Sequence, residues 1–274
     1  MLKKRLQAHS LPLWWIALVL RAADPAARMP VVTGLEVFSG NANLGKGFAQ
    51  CVGPTLTFEV LDNIEEDCMH ETGIVKLLTY VLSIMIEGWC WLGIPCSSWI
   101  IMSRGFTQRS IVQPSGPTTW KSRKQHDYVK KHNDIATISA LVYKTCVILG
   151  IAVAVEQPRS SLLWRFPPVK EALEMAPLHT IPFFMSSLGH TSQKPLIVKG
   201  SGAYLDVVRE VAVRRPKTEA TQKLVTYQGA RFTGCQAALT ESSSYRRAFG
   251  FAVALAFVGK NADEILHMLH ASNL

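Results

Sequence analysis

Apolar and polar positions fall into two kinds of block that alternate along the chain. Short apolar runs rich in β-branched and aromatic residues, "VTGLEVF", "TLTFEVLD", "WCWLGIP" and "IAVAVEQP", read as strands. Between them, "LGKGFAQCV" opens a helix after a Gly/Asn-rich turn, and "GIVKLLTYVLSIMIEG" has helical length and periodicity. "NDIATISALVYKTCVILG" reads as a helix entered through an Asn/Asp start signal. Strands alternating with helices predict an α/β fold, a mostly parallel sheet with helices on both faces. The polar stretch from Ser97 to about His132 predicts a long loop. Beyond Pro158 the pattern weakens. "FFMSSLGH", "KPLIVKG" and "EVAVRRPK" read as short strands, and "ESSSYRRAFGFAVALAFVG" as a helix entered through a serine cap. The chain divides into an N-terminal extension (1–30), an α/β core (31–182), a short β-rich subregion (183–234) and a C-terminal helix returning to the core (235–274).

Ligands of parallel sheets sit at the carboxyl ends of the strands, so the residues just past each run carry the functional information. After the first comes "SGNANLGKGF", where a glycine between strand and helix lets backbone approach a nucleotide-like ligand. Gly40, Gly45 and Lys46 nearly form a phosphate-cradling loop, but Gly47 stands where such a loop needs Ser or Thr for its magnesium. At the second, Glu59 and Asp62 lie about twenty residues past Gly40, the spacing at which an acid accepts hydrogen bonds from ribose hydroxyls. The third presents Cys96 behind Pro95, and the fourth presents Glu156 before Gln157 and Pro158. Singly, Cys96 suits a buried structural thiol and Glu156 a surface or capping carboxylate. Side by side they form a nucleophile and a proton donor or acceptor for covalent catalysis.

With 274 residues, 48% of them hydrophobic and 18% charged, the chain builds a substantial core and excludes a disordered class. Its net charge of +9 points to a polyanionic partner, nucleic acid or an anionic membrane surface. The six cysteines are dispersed, without a CxxC pair or matching histidine spacing, which argues against zinc and against a disulfide framework. "MLKKR" followed by "LPLWWIALVL" outlines a targeting segment, or else a first helix docking on the domain. The apolar run is too short to span a bilayer, and Arg21 interrupts the region where cleavage would fall.

The order of "LEVFSGNANLGKGF", "FEV", "GIPCSS", "VEQP" and a late "YRRAFGFAVA" resembles the cytosine-C5 methyltransferase family over most of Val31 to about Phe257. The resemblance implies a Rossmann-like methyltransferase fold with a reduced C-terminal subregion. It also implies transfer of a methyl group from S-adenosylmethionine to C5 of cytosine in DNA or RNA. Phe38, Ser39, Gly40, Asn41 and Ala42 would form the cofactor turn, Glu59 with Asp62 would hold the ribose, and Gly250 and Val253 would close the cofactor pocket. Pro95 and Cys96 match the nucleophile motif, and Glu156 matches the glutamate that contacts the target base. That glutamate needs a pocket that disfavours its ionised form.

Ser97 stands where the family has Gln, and Gln157-Pro158 where it has Asn-Val. The family's Gln-x-Arg-x-Arg motif is absent, and Arg159 or Lys194 is the expected substitute. Arg104, Arg109, Lys121, Arg123, Lys124 and Lys194 are expected to face nucleic acid, with no metal, no membrane insertion and a monomeric chain. A DNA substrate would imply a nuclear protein. Two other classes fit the same residues: an inactive methyltransferase-like module that binds cofactor or nucleic acid, and a P-loop-like nucleotide-binding protein.

Overall fold

The computed structural model describes residues 2–27, 29–190, 192, 194–215, 225–228, 231–234, 245–272 and 274. Helices α1 (Leu2–Ala8) and α2 (Leu13–Ala22) precede the first βα units: β1 (Val32–Val37), α3 (Asn43–Cys51), β2 (Thr55–Phe58), α4 (Glu71–Ser83) and β3 (Ile84–Leu92). A short α5 (Arg104–Thr107) and a long α6 (Arg123–Leu149) lead to β4 (Ala152–Pro158). Then follow α7 (Pro167–Leu173), β5 (His179–Phe184), β6 (Pro195–Gly200) and α8 (Tyr204–Arg214). A separate two-stranded ribbon, β7 (Val225–Gln228) and β8 (Arg231–Gly234), precedes α9 (Arg247–Phe257) and α10 (Ala262–Ala271).

The main sheet has the order β2-β1-β3-β4-β6-β5. The pairs β1–β2, β1–β3 and β3–β4 are parallel, and β6 runs antiparallel between β4 and β5. The mostly parallel α/β sheet is therefore present and is compatible with a Rossmann-like fold. Side-chain alternation along the strands divides the core in two. Cys90, Leu92, Val153 and Val155 pack with α2, α4, α6 and α7 on one face. Trp89, Trp91 and Ala154 pack with α3, α8, α9 and α10 on the other.

Several boundaries differ from the sequence expectation. The helix expected through Gly88 ends at Ser83, because the β-branched Ile84 and Ile86 enter β3 beside β1. The loop expected through His132 ends ten residues earlier: Ser122 caps α6 by accepting from Gln125 N at 3.2 Å. That first part of α6 is polar because it buries only a narrow stripe, Gln125, Val129 and His132. "EVAVRR" is not a strand but the end of α8, whose Leu205, Val208, Val211 and Ala212 recur at helical spacing and are buried. In "FFMSSLGH" only the two phenylalanines are strand, and Met185–Leu188 turns as a 3-10 helix. Residues 183–200 extend the main sheet through β5 and β6 rather than forming a separate subregion. The serines expected to cap α9 lie outside the described residues. Within the N-terminal extension, Leu6, Trp15 and Val19 are core residues, and Trp15 Nε1 donates to Thr145 Oγ1 at 3.0 Å. No described helix is long and apolar enough to cross a membrane.

On the second face, α9 crosses α3 at backbone contact. A Cβ added to Gly47 would lie 2.5 Å from the carbonyl carbon of Gly250, and one added to Gly250 would lie 2.3 Å from Asn43 O. The expected cofactor residue Gly250 is thus a packing glycine. Val253, expected beside it in the pocket, is fully buried in the core. Gly250→Ala should destabilise the fold by about 2 kcal/mol, the usual cost of overpacking against atoms that cannot move aside. Urea denaturation of G250A checks this, with Gly105→Ala as control, since a Cβ at Gly105 meets nothing within 4 Å.

Candidate active site

The chain leaves β1 for β2 on one side and returns through α4 to β3 on the other, so the carboxyl ends of β1 and β3 diverge into a crevice. The turn after β1 is bent tightly. Phe38, Gly40 and Ala42 have φ of 58°, 51° and 53°, and two of these are non-glycine residues in the left-handed region. Glu59 closes this turn from the end of β2, where Oε2 accepts from Gly40 N at 3.1 Å and Oε1 from Leu61 N at 3.2 Å. Glu66 in turn holds Glu59 N at 2.7 Å. Ser39 is buried and its Oγ has no partner among the described residues. Asn41 and Asp62 are exposed at the rim. Lys46, which a phosphate-cradling loop would aim at its ligand, folds back onto Asn41 O at 2.8 Å.

Pro95 and Cys96 follow β3 in an irregular exit held by a residue of β4. Buried Gln157 donates through Nε2 to Ile94 O, and Ser161 Oγ donates to Gln157 Oε1 at 2.9 Å. Gln157 thereby fixes the strand of Glu156 against the loop of Cys96, a role that no local sequence signal announced. Burial holds the half-buried Cys96 thiol above its ordinary range; the Lys194 ammonium pulls it down and the Glu156 charge adds to the rise. Burial likewise raises the Glu156 carboxyl, opposed by Lys194 and by a hydrogen bond from Tyr245. Thiol, carboxyl and ammonium therefore share one electrostatic site.

Tyr245, just before α9, completes it. Its hydroxyl donates to Glu156 Oε2 at 3.0 Å and accepts from Trp91 Nε1 at 3.1 Å, while its carbonyl accepts from Asn43 Nδ2 at 2.6 Å. A Cβ on Gly93 would lie 3.9 Å from this hydroxyl and 3.1 Å from Phe38 O, which places Tyr245 over the crevice between β1 and β3. Deeper in β1, Glu36 accepts from Gly45 N at 2.7 Å and has only 1% of its surface exposed; burial raises its pKa to about 8. Glu36 Oε1 and Glu156 Oε1 are both buried without a partner among the described residues.

Two expected site residues fall elsewhere. Arg159 is exposed and lines a groove of about 560 Å³ with Phe183, Phe184, Arg214 and Arg215 at the β5–β6 edge. Lys194 is the cation that acts on the Cys96–Glu156 pair. Arg109 does not face solvent at all: it is 2% exposed, with its guanidinium 3.6 Å over the Trp99 ring. It donates to Ser98 Oγ at 3.0 Å, Asn133 Oδ1 at 2.8 Å and the carbonyls of Pro114 and Val129. Lacking a carboxylate partner in that set, it is pulled by burial to about 9. Arg104 is half-buried, and Lys121, Arg123 and Lys124 stand exposed at the start of α6. No group of three or more described His, Cys, Asp or Glu residues is arranged to hold a metal ion.

The shared electrostatics predict the reactivity of Cys96. Alkylation by iodoacetamide, read by peptide mass spectrometry, should rise with pH past the ordinary thiol range. At a fixed pH, Lys194→Met should slow it and Glu156→Gln should speed it. Each change should be roughly threefold, in the range a nearby charge exerts on a minor thiolate fraction. Among known proteins, no family model and no curated protein matches the chain, so the functional reading rests on this geometry.

Proposed function

We propose that this chain is an S-adenosylmethionine-dependent methyltransferase acting on C5 of cytosine in DNA or RNA, with Cys96 as nucleophile. The arrangement that carries the reading is Glu156, bonded by the Tyr245 hydroxyl at 3.0 Å and shifted by burial toward its protonated form, beside Cys96 and under a Lys194 charge that acts on both.

The turn after β1 fits the cofactor. Ser39 Oγ is buried without a partner among the described residues, and Gly40 has open space where any other residue would project a side chain. Glu59, Phe38, Ser39 and Gly40 would hold the nucleoside part, with the lone pairs of Glu59 left over from Gly40 and Leu61 directed to ribose hydroxyls. When bound, S-adenosylmethionine supplies an electrophilic methyl group.

The chain's own residues prepare the base to receive it. The Cys96 thiol gives its proton to solvent water, and its sulfur forms a bond to C6 of cytosine, moving ring electrons toward C5. Glu156 donates its proton toward N3 and offsets the charge that builds in the ring. Once C5 carries the methyl group, the C5 proton leaves to water, the S–C6 bond breaks with its electron pair going to sulfur, and N3 returns its proton to the Glu156 carboxylate. Because the duplex buries the C6 face, the target base has to be unpaired or flipped out. Lys121, Arg123 and Lys124 are the exposed cations that can track its phosphates.

The test is incubation with labelled cofactor and 5-fluorocytosine-containing DNA or RNA. A denaturation-resistant adduct is expected, abolished in Cys96→Ser and formed about a hundredfold more slowly in Glu156→Gln. Failure to form it on any duplex or single strand overturns the reading. Calorimetric binding of S-adenosylhomocysteine without any adduct would leave an inactive cofactor-binding module, the reading favoured by the burial that keeps Cys96 protonated.

A further inference from the structure

The donors and acceptors around Glu156 assign roles to its two oxygens. The Trp91 indole can only donate, so the Tyr245 oxygen accepts its N–H at 3.1 Å. The hydroxyl proton of Tyr245 then points to Glu156 Oε2, 3.0 Å away, the acceptor within its reach. Oε2 is thereby engaged, whereas Oε1 is buried and has no partner among the described residues.

We propose that Tyr245 is a positioning residue that commits Oε2 of Glu156 as an acceptor and leaves Oε1 as the oxygen that carries the exchangeable proton into the crevice. The arrangement rests on the proposed reaction for the use of that proton, not for its geometry. When the Oε1–H bond breaks and the proton passes to a base nitrogen, the electron pair stays on the carboxylate, and the Tyr245 O–H already bonded to Oε2 stabilises it. The contact holds across three elements: Asn43 at the start of α3 fixes the Tyr245 backbone, Trp91 of β3 fixes the hydroxyl, and Glu156 of β4 receives it. The other groups acting on Glu156 and Tyr245 are Lys194, Cys96 and Glu36.

Tyr245→Phe removes a donor to the ionised form, so the Glu156 carboxyl should hold its proton to higher pH by about one unit. Infrared titration of the full chain, with the Glu156→Gln spectrum subtracted, reads the carboxylic-acid band directly and needs no substrate. Incorporating 3-fluorotyrosine at 245 keeps the ring and strengthens the donor, so it should shift the band the opposite way. A merely structural role for the ring would not reverse sign. An unchanged titration in Y245F, or shifts of the same sign in both variants, overturns the assignment. Where the 5-fluorocytosine adduct forms, the alkaline limb of its rate profile should move up in Y245F with the band. Adducts whose profile ignores Y245F would refute Tyr245's role and leave the methyltransferase reading intact. Infrared shifts without any adduct would remove the methyltransferase reading and leave the Tyr245 assignment standing.

Discussion

Gly47 of α3 and Gly250 of α9 let two helix backbones touch, and this contact sets where α9 and the residues just before it lie. Because α9 begins at Arg247, its crossing point fixes Tyr245 just beyond its N-terminus, above the diverging ends of β1 and β3. Asn43, at the start of the other helix, then donates to the Tyr245 carbonyl. The helix crossing, the polar contact at its end and the crevice are one construction. A larger side chain at either glycine would separate the helices and lift Tyr245 from Glu156. The same crossing buries Phe249 against Trp91 and Phe183, with ring centroids 5.6 and 5.4 Å apart, which secures α9 over β3 and β5.

Burying ionisable groups here carries an energetic cost that a merely structural core would avoid. Glu36, Glu156, Cys96 and Tyr245 are all displaced toward their neutral forms, with burial as the largest cause in each case. Lys194 opposes the effect for the thiol and for Glu156 without cancelling it. Ser39 Oγ just past β1, Glu36 Oε1 in β1 and Glu156 Oε1 in β4 are buried without a partner among the described residues. A core selected for stability alone would hydrogen-bond or replace such oxygens.

The legible parts of the chain were those whose signal is local. Short apolar runs marked β1 to β4; Gly40, Glu59 and Cys96 follow the first three, and Glu156 lies near the end of the fourth. Tyr245 was invisible because its partner Glu156 is 89 positions away, and nothing in "YRRAFG" encodes that contact. Gln157 was noticed only as a departure from a motif, yet it fastens the Cys96 loop to β4. Arg109 failed for a different reason. A basic residue in a polar stretch reads as solvated, and only the tertiary arrangement of Trp99, Ser98 and Asn133 reveals that it is a buried cross-link. The start of α6 was misplaced because a helix with a narrow apolar stripe looks like loop until its packing is known.

The buried Arg109 also changes what the segment after Cys96 can do. Four acceptors from Ser98, Pro114, Val129 and Asn133 converge on one guanidinium, so both ends of the segment are tied to α6. On the outer side, Tyr128 donates to Ser97 Oγ at 3.0 Å, and Ser97 Oγ lies 3.1 Å from His132 Nε2. His132 Nδ1 faces the Tyr128 carbonyl at 2.9 Å, so it must carry the ring proton and leave Nε2 to accept from Ser97. Burial lowers His132, which keeps it neutral and preserves that arrangement near pH 7. Ser97 is thus committed to α6, while Cys96 beside it responds to Lys194 and Glu156. Anchoring Ser97 on α6 fixes the backbone from which the neighbouring Cys96 side chain departs.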